Sequence, residues 1–126
     1  MIIGIGVDIV EKERVQKAYE KDSFRRKYYT AGEQAEIEEH PHKAASDFAV
    51  KEALVKAVGT GFGKIMPAQI EVLREESGRP YVILHDRARA LQKELGIARI
   101  HVSISDTDTL TTAYVVCEGE EGAQNY

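Results

Sequence analysis

Apolar and polar positions alternate at the start of the chain. Ile3, Ile5, Val7 and Ile9 fall on one face of a strand over 2–9, and Gly4, Gly6 and Asp8 fall on the other. Asp8 therefore ends a face with almost no side chains, where two glycines let a ligand or another backbone come close. The period then becomes helical over 11–21: Val15, Ala18 and Tyr19 form an apolar side, and Arg14, Lys17 and Lys21, with Arg25 beyond, form a basic one. Thr30-Ala-Gly-Glu33 has the spacing of a capping box and predicts a short acidic helix to about residue 39. Proline restricts the residue before it and removes a donor, so His40-Pro41-His42 reads as an exposed turn rather than a metal site.

A longer helix is predicted over 44–58, stopped by Gly59-Thr60-Gly61-Phe62-Gly63. Strands over 69–74 and 80–84 flank the turn signal Ser77-Gly78, and a helix over 86–95 stops at Gly96. Two more strands, over 99–105 and 111–118, complete the pattern. This order predicts an α+β fold with a mostly antiparallel sheet packed with helices. It reads as one domain over 1–118, with 119–126 a polar tail expected to fray.

Composition narrows the class. At 126 residues, 43% hydrophobic and 30% charged, the chain is a folded globular domain rather than a disordered one. No uncharged apolar stretch approaches the ~20 residues of a membrane span, and no basic segment precedes the apolar start; the expected location is cytoplasmic. Cys117 is the only cysteine, which excludes an intrachain disulfide and a thiolate zinc cluster. The net charge of −4 argues against a general nucleic-acid binder. Between residues 12 and 27, however, Lys12, Arg14, Lys17, Lys21, Arg25, Arg26 and Lys27 outnumber Glu13, Glu20 and Asp22, and a basic stripe on an acidic protein points to an acidic partner.

Candidate chemistry begins with Glu52. It projects with Lys56 from a helix that is apolar around most of its circumference, flanked by Phe48 and Val55 on one side and Ala49 and Ala53 on the other. A carboxylate there is neutral, paired with a cation or bound to a metal; the simplest pairing is an i,i+4 contact with Lys56. Asp8 either caps the helix that follows or serves as a ligand. Two carboxylates completed by substrate phosphate are a common way to hold Mg²⁺. The loop at Gly59-Thr60-Gly61 fails Walker A and the dinucleotide fingerprint, which leaves a helix stop or a set of bare amides for an anion beside Lys56 and Lys64. His101, Ser103 and Ser105 share one strand face and read as a polar pocket wall.

Taken in order, these pieces resemble the holo-(acyl-carrier-protein) synthases, small bacterial 4′-phosphopantetheinyl transferases. The carriers are Gly4-Ile-Gly-Val-Asp8-Ile-Val-Glu11 with Arg14, Phe24 with Thr30 and Glu33, Phe48-Ala-Val-Lys51-Glu52-Ala53 followed by Lys56-Ala-Val-Gly59-Thr-Gly61, Gly78-Arg-Pro80, and His101-Val-Ser-Ile-Ser105. The resemblance runs from Ile3 to about Val116. It implies Mg²⁺-dependent transfer of phosphopantetheine from coenzyme A to a serine of apo acyl carrier protein, releasing adenosine 3′,5′-bisphosphate. It further implies that Asp8 and Glu52 hold the metal and that Lys56 steadies the phosphates. Gly59, Thr60 and Gly61 would line the pantetheine and phosphate channel, and His101 would sit near the nucleotide. The serine proton would pass to a metal-bound water or to Glu52. Arg14, with Lys17 and Lys21, would steer the acidic carrier protein, and three copies would form a homotrimer with active sites between subunits.

The sequence departs from the family pattern in two places. Asp47 stands where the family usually carries an arginine that helps hold the nucleotide end of coenzyme A, a reversal of charge. Asp106 stands where a histidine often ends the strand motif. The first departure motivates the alternative reading, a non-catalytic trimeric module that binds carrier protein or nucleotide.

Overall fold

In a computed structural model, which describes residues 1–120, ten regular elements follow one another. They are β1 (Ile2–Glu11), α1 (Lys12–Tyr19), α2 (Asp22–Tyr28), α3 (Ala31–Glu39), α4 (Lys43–Val58), β2 (Ile70–Arg74), β3 (Pro80–Leu84), α5 (Asp86–Leu95), β4 (Ile97–Asp106) and β5 (Leu110–Gly119). Single 3₁₀ turns at Gly61–Gly63 and Pro67–Gln69 lie between α4 and β2. The fold is α+β and its strand pairing is antiparallel: β1, β5 and β4 form one sheet in that order, and β2 and β3 form a hairpin. The expected frayed tail falls, from residue 121 on, outside the described residues. At its near end Gly119 still belongs to β5 and donates to Met1 O at 2.8 Å. No helix among the described residues is long and apolar enough to cross a membrane.

The glycine face of β1 is where the long helix packs. A Cβ at Gly4 would lie 1.9 Å from the carbonyl oxygen of Ala57, and one at Gly6 would lie 1.9 Å from that of Ala53. Only glycine admits the α4 backbone at that distance. The alanines Ala45, Ala49 and Ala53 keep α4 slim, and with Val50 and Leu54 they are fully buried, as are Ala113, Val115 and Cys117 of β5. The branched face of β1 is left open instead: Ile5 is 67% exposed and Ile9 61%. Because Ile5, Val116 and His101 are register partners across β1, β5 and β4, this open face carries Val116 and His101 as well.

The basic segment forms two helices rather than one. α1 stops at Tyr19 and Lys21 precedes α2, which has only Phe24 and Tyr28 as an apolar pair and so lacks the repeat that would predict it. Arg25 Nη1 donates to Tyr19 O at 2.6 Å and ties the two helices together. The capping box forms as the spacing predicts: Glu33 N donates to Thr30 Oγ1 at 3.2 Å, and Thr30 N to Glu33 Oε1 at 2.8 Å.

Glu33 is also fully buried against Lys51. The Lys51 ammonium donates to Glu33 Oε1 and to Pro67 O, each at 2.9 Å, and to Ile70 O, while Glu33 Oε2 accepts from Val72 N at 2.8 Å. All three ammonium protons and both carboxylate oxygens are thereby used, the condition under which a buried pair is tolerated. Asp47 has a partner too: Arg74 Nη1 donates to its Oδ1 at 2.8 Å, and Arg74 Nη2 donates to Ser46 Oγ at 3.0 Å. Burial outweighs the arginine's pull and lifts the Asp47 carboxyl to about 7.

Candidate active site

The close packing of β1 on α4 brings Asp8 to the helix. Asp8 lies on the glycine face, and one turn of α4 beyond the Gly6 contact at Ala53 comes Lys56. The Lys56 Nζ donates to Asp8 Oδ1 at 3.1 Å and to Val7 O at 3.0 Å. Lys56 therefore turns to β1 rather than to Glu52, and the i,i+4 pairing is not made. Asp8 does not cap the next helix either: β1 continues to Glu11, the N-cap of α1, where no side chain caps. Its backbone carbonyl accepts from Thr112 Oγ1 at 2.8 Å, which fixes the strand at this point.

Glu52 is partly buried and has no hydrogen bond or ion pair among the described residues. Burial pushes its carboxyl above the usual range, and the Asp8 charge adds to the shift; Lys56 opposes both. Two neighbouring carboxylates, one of them without a partner, suit a hard divalent cation. No cluster of three or more His, Cys, Asp or Glu closes a metal cage among the described residues, so such a cation would draw its remaining ligands from water and from a bound phosphate. The residues present fit Mg²⁺ on those terms.

Past Lys56, α4 ends at Gly59 in the left-handed region with φ +76°, its N–H donating to Val55 O at 3.0 Å. Thr60 leads into the turn at Gly61–Gly63, so the glycine loop begins within one helical turn of Lys56. An aromatic wall lies near Glu52: the Tyr28 ring packs 5.4 Å from that of Phe48 and 6.4 Å, edge-on, from that of Phe62. Beyond it, Ile9, Glu11, Arg14, Val15, Phe24 and Phe48 line an open cleft of about 500 Å³. Lys17 shares α1 with Arg14 and Lys21 is the N-cap residue of the adjoining α2; both are exposed.

His101 is not brought to Asp8 within one chain. It stands on the open face of the sheet, where its Nε2 lies 2.9 Å from Glu118 Oε1. Three features escaped the sequence reading. Lys51 and Arg74 each neutralise a buried carboxylate, but their partners are 18 and 27 residues away, at no local spacing. Tyr28 sits in a helix without periodicity, though its four-residue spacing from Phe24 was visible.

The comparison with known proteins agrees with this geometry. A family model for the 4′-phosphopantetheinyl transferase superfamily matches residues 4–115. The holo-[acyl-carrier-protein] synthase of Lachnoclostridium phytofermentans is 52% identical over 118 residues, which cover 94% of this chain and 97% of the relative. Among solved structures, the acyl carrier protein synthase of Plasmodium yoelii with ADP bound superposes with a TM-score of 0.85 at 32% identity, covering 96% of this chain and 98% of the other. The holo-(acyl-carrier-protein) synthase of Bacillus anthracis in complex with CoA (3′,5′-ADP) gives 0.78 at 33% identity, covering 95% and 99%. The glycine face that admits α4, the carboxylates of β1 and α4 and the lysine one turn beyond thus sit in a match spanning nearly all the described chain, which belongs to the 4′-phosphopantetheinyl transferase superfamily.

Proposed function

We propose that this protein is an enzyme that transfers 4′-phosphopantetheine from coenzyme A to a serine of apo acyl carrier protein, releasing adenosine 3′,5′-bisphosphate, in the cytoplasm. The observation that carries the reading is the pair Asp8 and Glu52, one held by Lys56 and the other without a partner among the described residues. Asp8 and Glu52 would hold Mg²⁺, which when bound offsets the charge of the pyrophosphate. Lys56, 55% exposed, is free to shift its ammonium from the Val7 carbonyl toward a phosphate oxygen, and so favours the charge that builds on the departing phosphate. The serine oxygen forms a bond to the β-phosphorus as the bond to the adenylate-side phosphate breaks, and the serine proton would pass to a water or to Glu52. Gly59, Thr60 and Gly61 would line the channel for the pantetheine and phosphate.

Arg14, at the rim of the apolar cleft, with Lys17 and Lys21 beside it, would meet the acidic carrier protein. The open sheet face, with Ile5, Ile9 and Tyr114 all more than half exposed, is the surface that a homotrimer would cover. Because His101 shares that face, a site completed by a neighbouring subunit accounts for its distance from Asp8. The domain that performs the reaction would span 1–118. Asp47 does not favour the non-catalytic alternative: it lies in the core against Arg74, so its reversed charge does not put an acidic group in the cleft.

The test is intact-mass spectrometry of an apo acyl carrier protein incubated with this protein, coenzyme A and Mg²⁺, with and without a chelator. A chelator-sensitive gain of one phosphopantetheine is expected. No gain across several carrier proteins would overturn the reading and favour the binding module.

A further inference from the structure

Tyr28, the last residue of α2, packs against two residues of the cleft wall, Phe24 and Phe48, and against Phe62 of the glycine loop, within electrostatic reach of Glu52. Its ring stacks on Phe24 with centroids 4.5 Å apart and packs against Phe48 and, edge-on, Phe62. Phe48 lies one turn before Glu52 on α4, and Phe62 lies in the turn after Thr60. Three aromatic neighbours fix the ring, yet the hydroxyl makes no hydrogen bond among the described residues. The neighbouring Tyr29 gives the contrast: its hydroxyl donates to Ala44 O at 2.8 Å and the residue is fully buried.

The Tyr28 phenol is a neutral O–H donor at physiological pH. A hydroxyl on a clamped ring, with no acceptor among the described residues and near a carboxylate that also lacks a partner among them, is positioned before any ligand arrives. A phosphate group is the acceptor that Lys56 and the glycine loop, with a cation on the carboxylates, would gather. We propose, resting on the reaction given above, that Tyr28 is a substrate-binding residue whose hydroxyl donates a hydrogen bond to a phosphate oxygen of coenzyme A. The aromatic wall then has two uses, as the side of the carrier cleft and as the mount for this donor.

Tyr28→Phe removes the hydroxyl and leaves the ring contacts. Coenzyme A is titrated calorimetrically into the wild type and the variant, with and without Mg²⁺, and transfer kinetics are measured in parallel. The expected result is a Kd for coenzyme A about tenfold weaker in both titrations and a similar loss in kcat/KM for coenzyme A. The KM for apo carrier protein should be unchanged, and the melting temperature should stay within about a degree of the wild type. An unchanged Kd and kcat/KM in the variant would overturn the proposal while leaving the reaction intact. A defect confined to the carrier-protein KM would overturn it as well, because the hydroxyl would then face the docking cleft. If the wild type itself neither binds coenzyme A nor transfers, the reaction falls and this contact with it.

Discussion

α4 carries two lysine–carboxylate pairs that look alike on paper and differ in every physical respect. Lys51 meets Glu33 at 2.9 Å with both side chains fully buried; Lys56 meets Asp8 at 3.1 Å with the lysine 55% and the aspartate 15% exposed. In the first pair every donor and acceptor is taken by α3, β2 and the turn before β2, so nothing remains to bind a ligand. In the second pair the lysine leans on a strand carbonyl, and a second carboxylate, Glu52, stands alongside without a partner among the described residues. Saturation marks the pair that holds the helix in place; an unfilled hydrogen-bonding capacity marks the pair proposed to meet the substrate.

The sharpest break in that comparison is Glu52→Gln. It removes a charge from the open site while keeping the side chain's shape. Transfer should fall by about a thousandfold or more, the scale of losing a dominant electrostatic interaction, with the melting temperature unchanged. Next in size is Lys51→Met, which strands the Glu33 carboxylate in the core. A loss of about 3–5 kcal/mol is expected in denaturant unfolding. The double variant Lys51→Met/Glu33→Gln should recover most of it, and a single variant as stable as the wild type would contradict the structural role. The mirror experiment is Lys56→Ala, which should change stability by no more than about 1 kcal/mol but lower kcat by about a hundredfold.

Smaller effects sharpen the account away from α4. Arg14→Glu should raise the KM for carrier protein about tenfold at low salt and flatten its salt dependence, without changing coenzyme A affinity. Asp47 tests whether the reversed charge is a core feature. Its carboxyl titrates near 3.8 when exposed and at about 7 when folded, so between those values the native state holds the extra proton. The stability from this group is complete below about pH 4 and is lost as pH rises through 7. Thermal melts from pH 4.5 to 8 should show a steeper fall for the wild type than for Asp47→Asn. Parallel curves would place the titration elsewhere.

Much of the fold was legible because its signals are local. The alternation in β1, the capping box at Thr30 and Glu33, and the glycine stops at Gly59 and Gly96 each act within a few residues, and the structure places these elements within a residue or two of the pattern. The carboxylates Asp8 and Glu52 stood out for the same reason, as anomalies in apolar or bare surroundings. Which face of β1 is buried was not legible from hydrophobicity: the bare Gly4–Gly6 face takes the helix and the isoleucines face outward. Nor could spacing show that Lys56 would choose Asp8 over Glu52, because that choice depends on how closely a helix backbone approaches a strand 48 residues away in sequence.

We propose that Glu52, without a partner among the described residues, holds a cation bound together with the substrate phosphates. This is tested most directly by titrating coenzyme A calorimetrically into wild type and Glu52→Gln, each with and without Mg²⁺. The account predicts that Mg²⁺ tightens coenzyme A binding by about tenfold or more in the wild type and has little effect in the variant. Equal tightening in both proteins would contradict it.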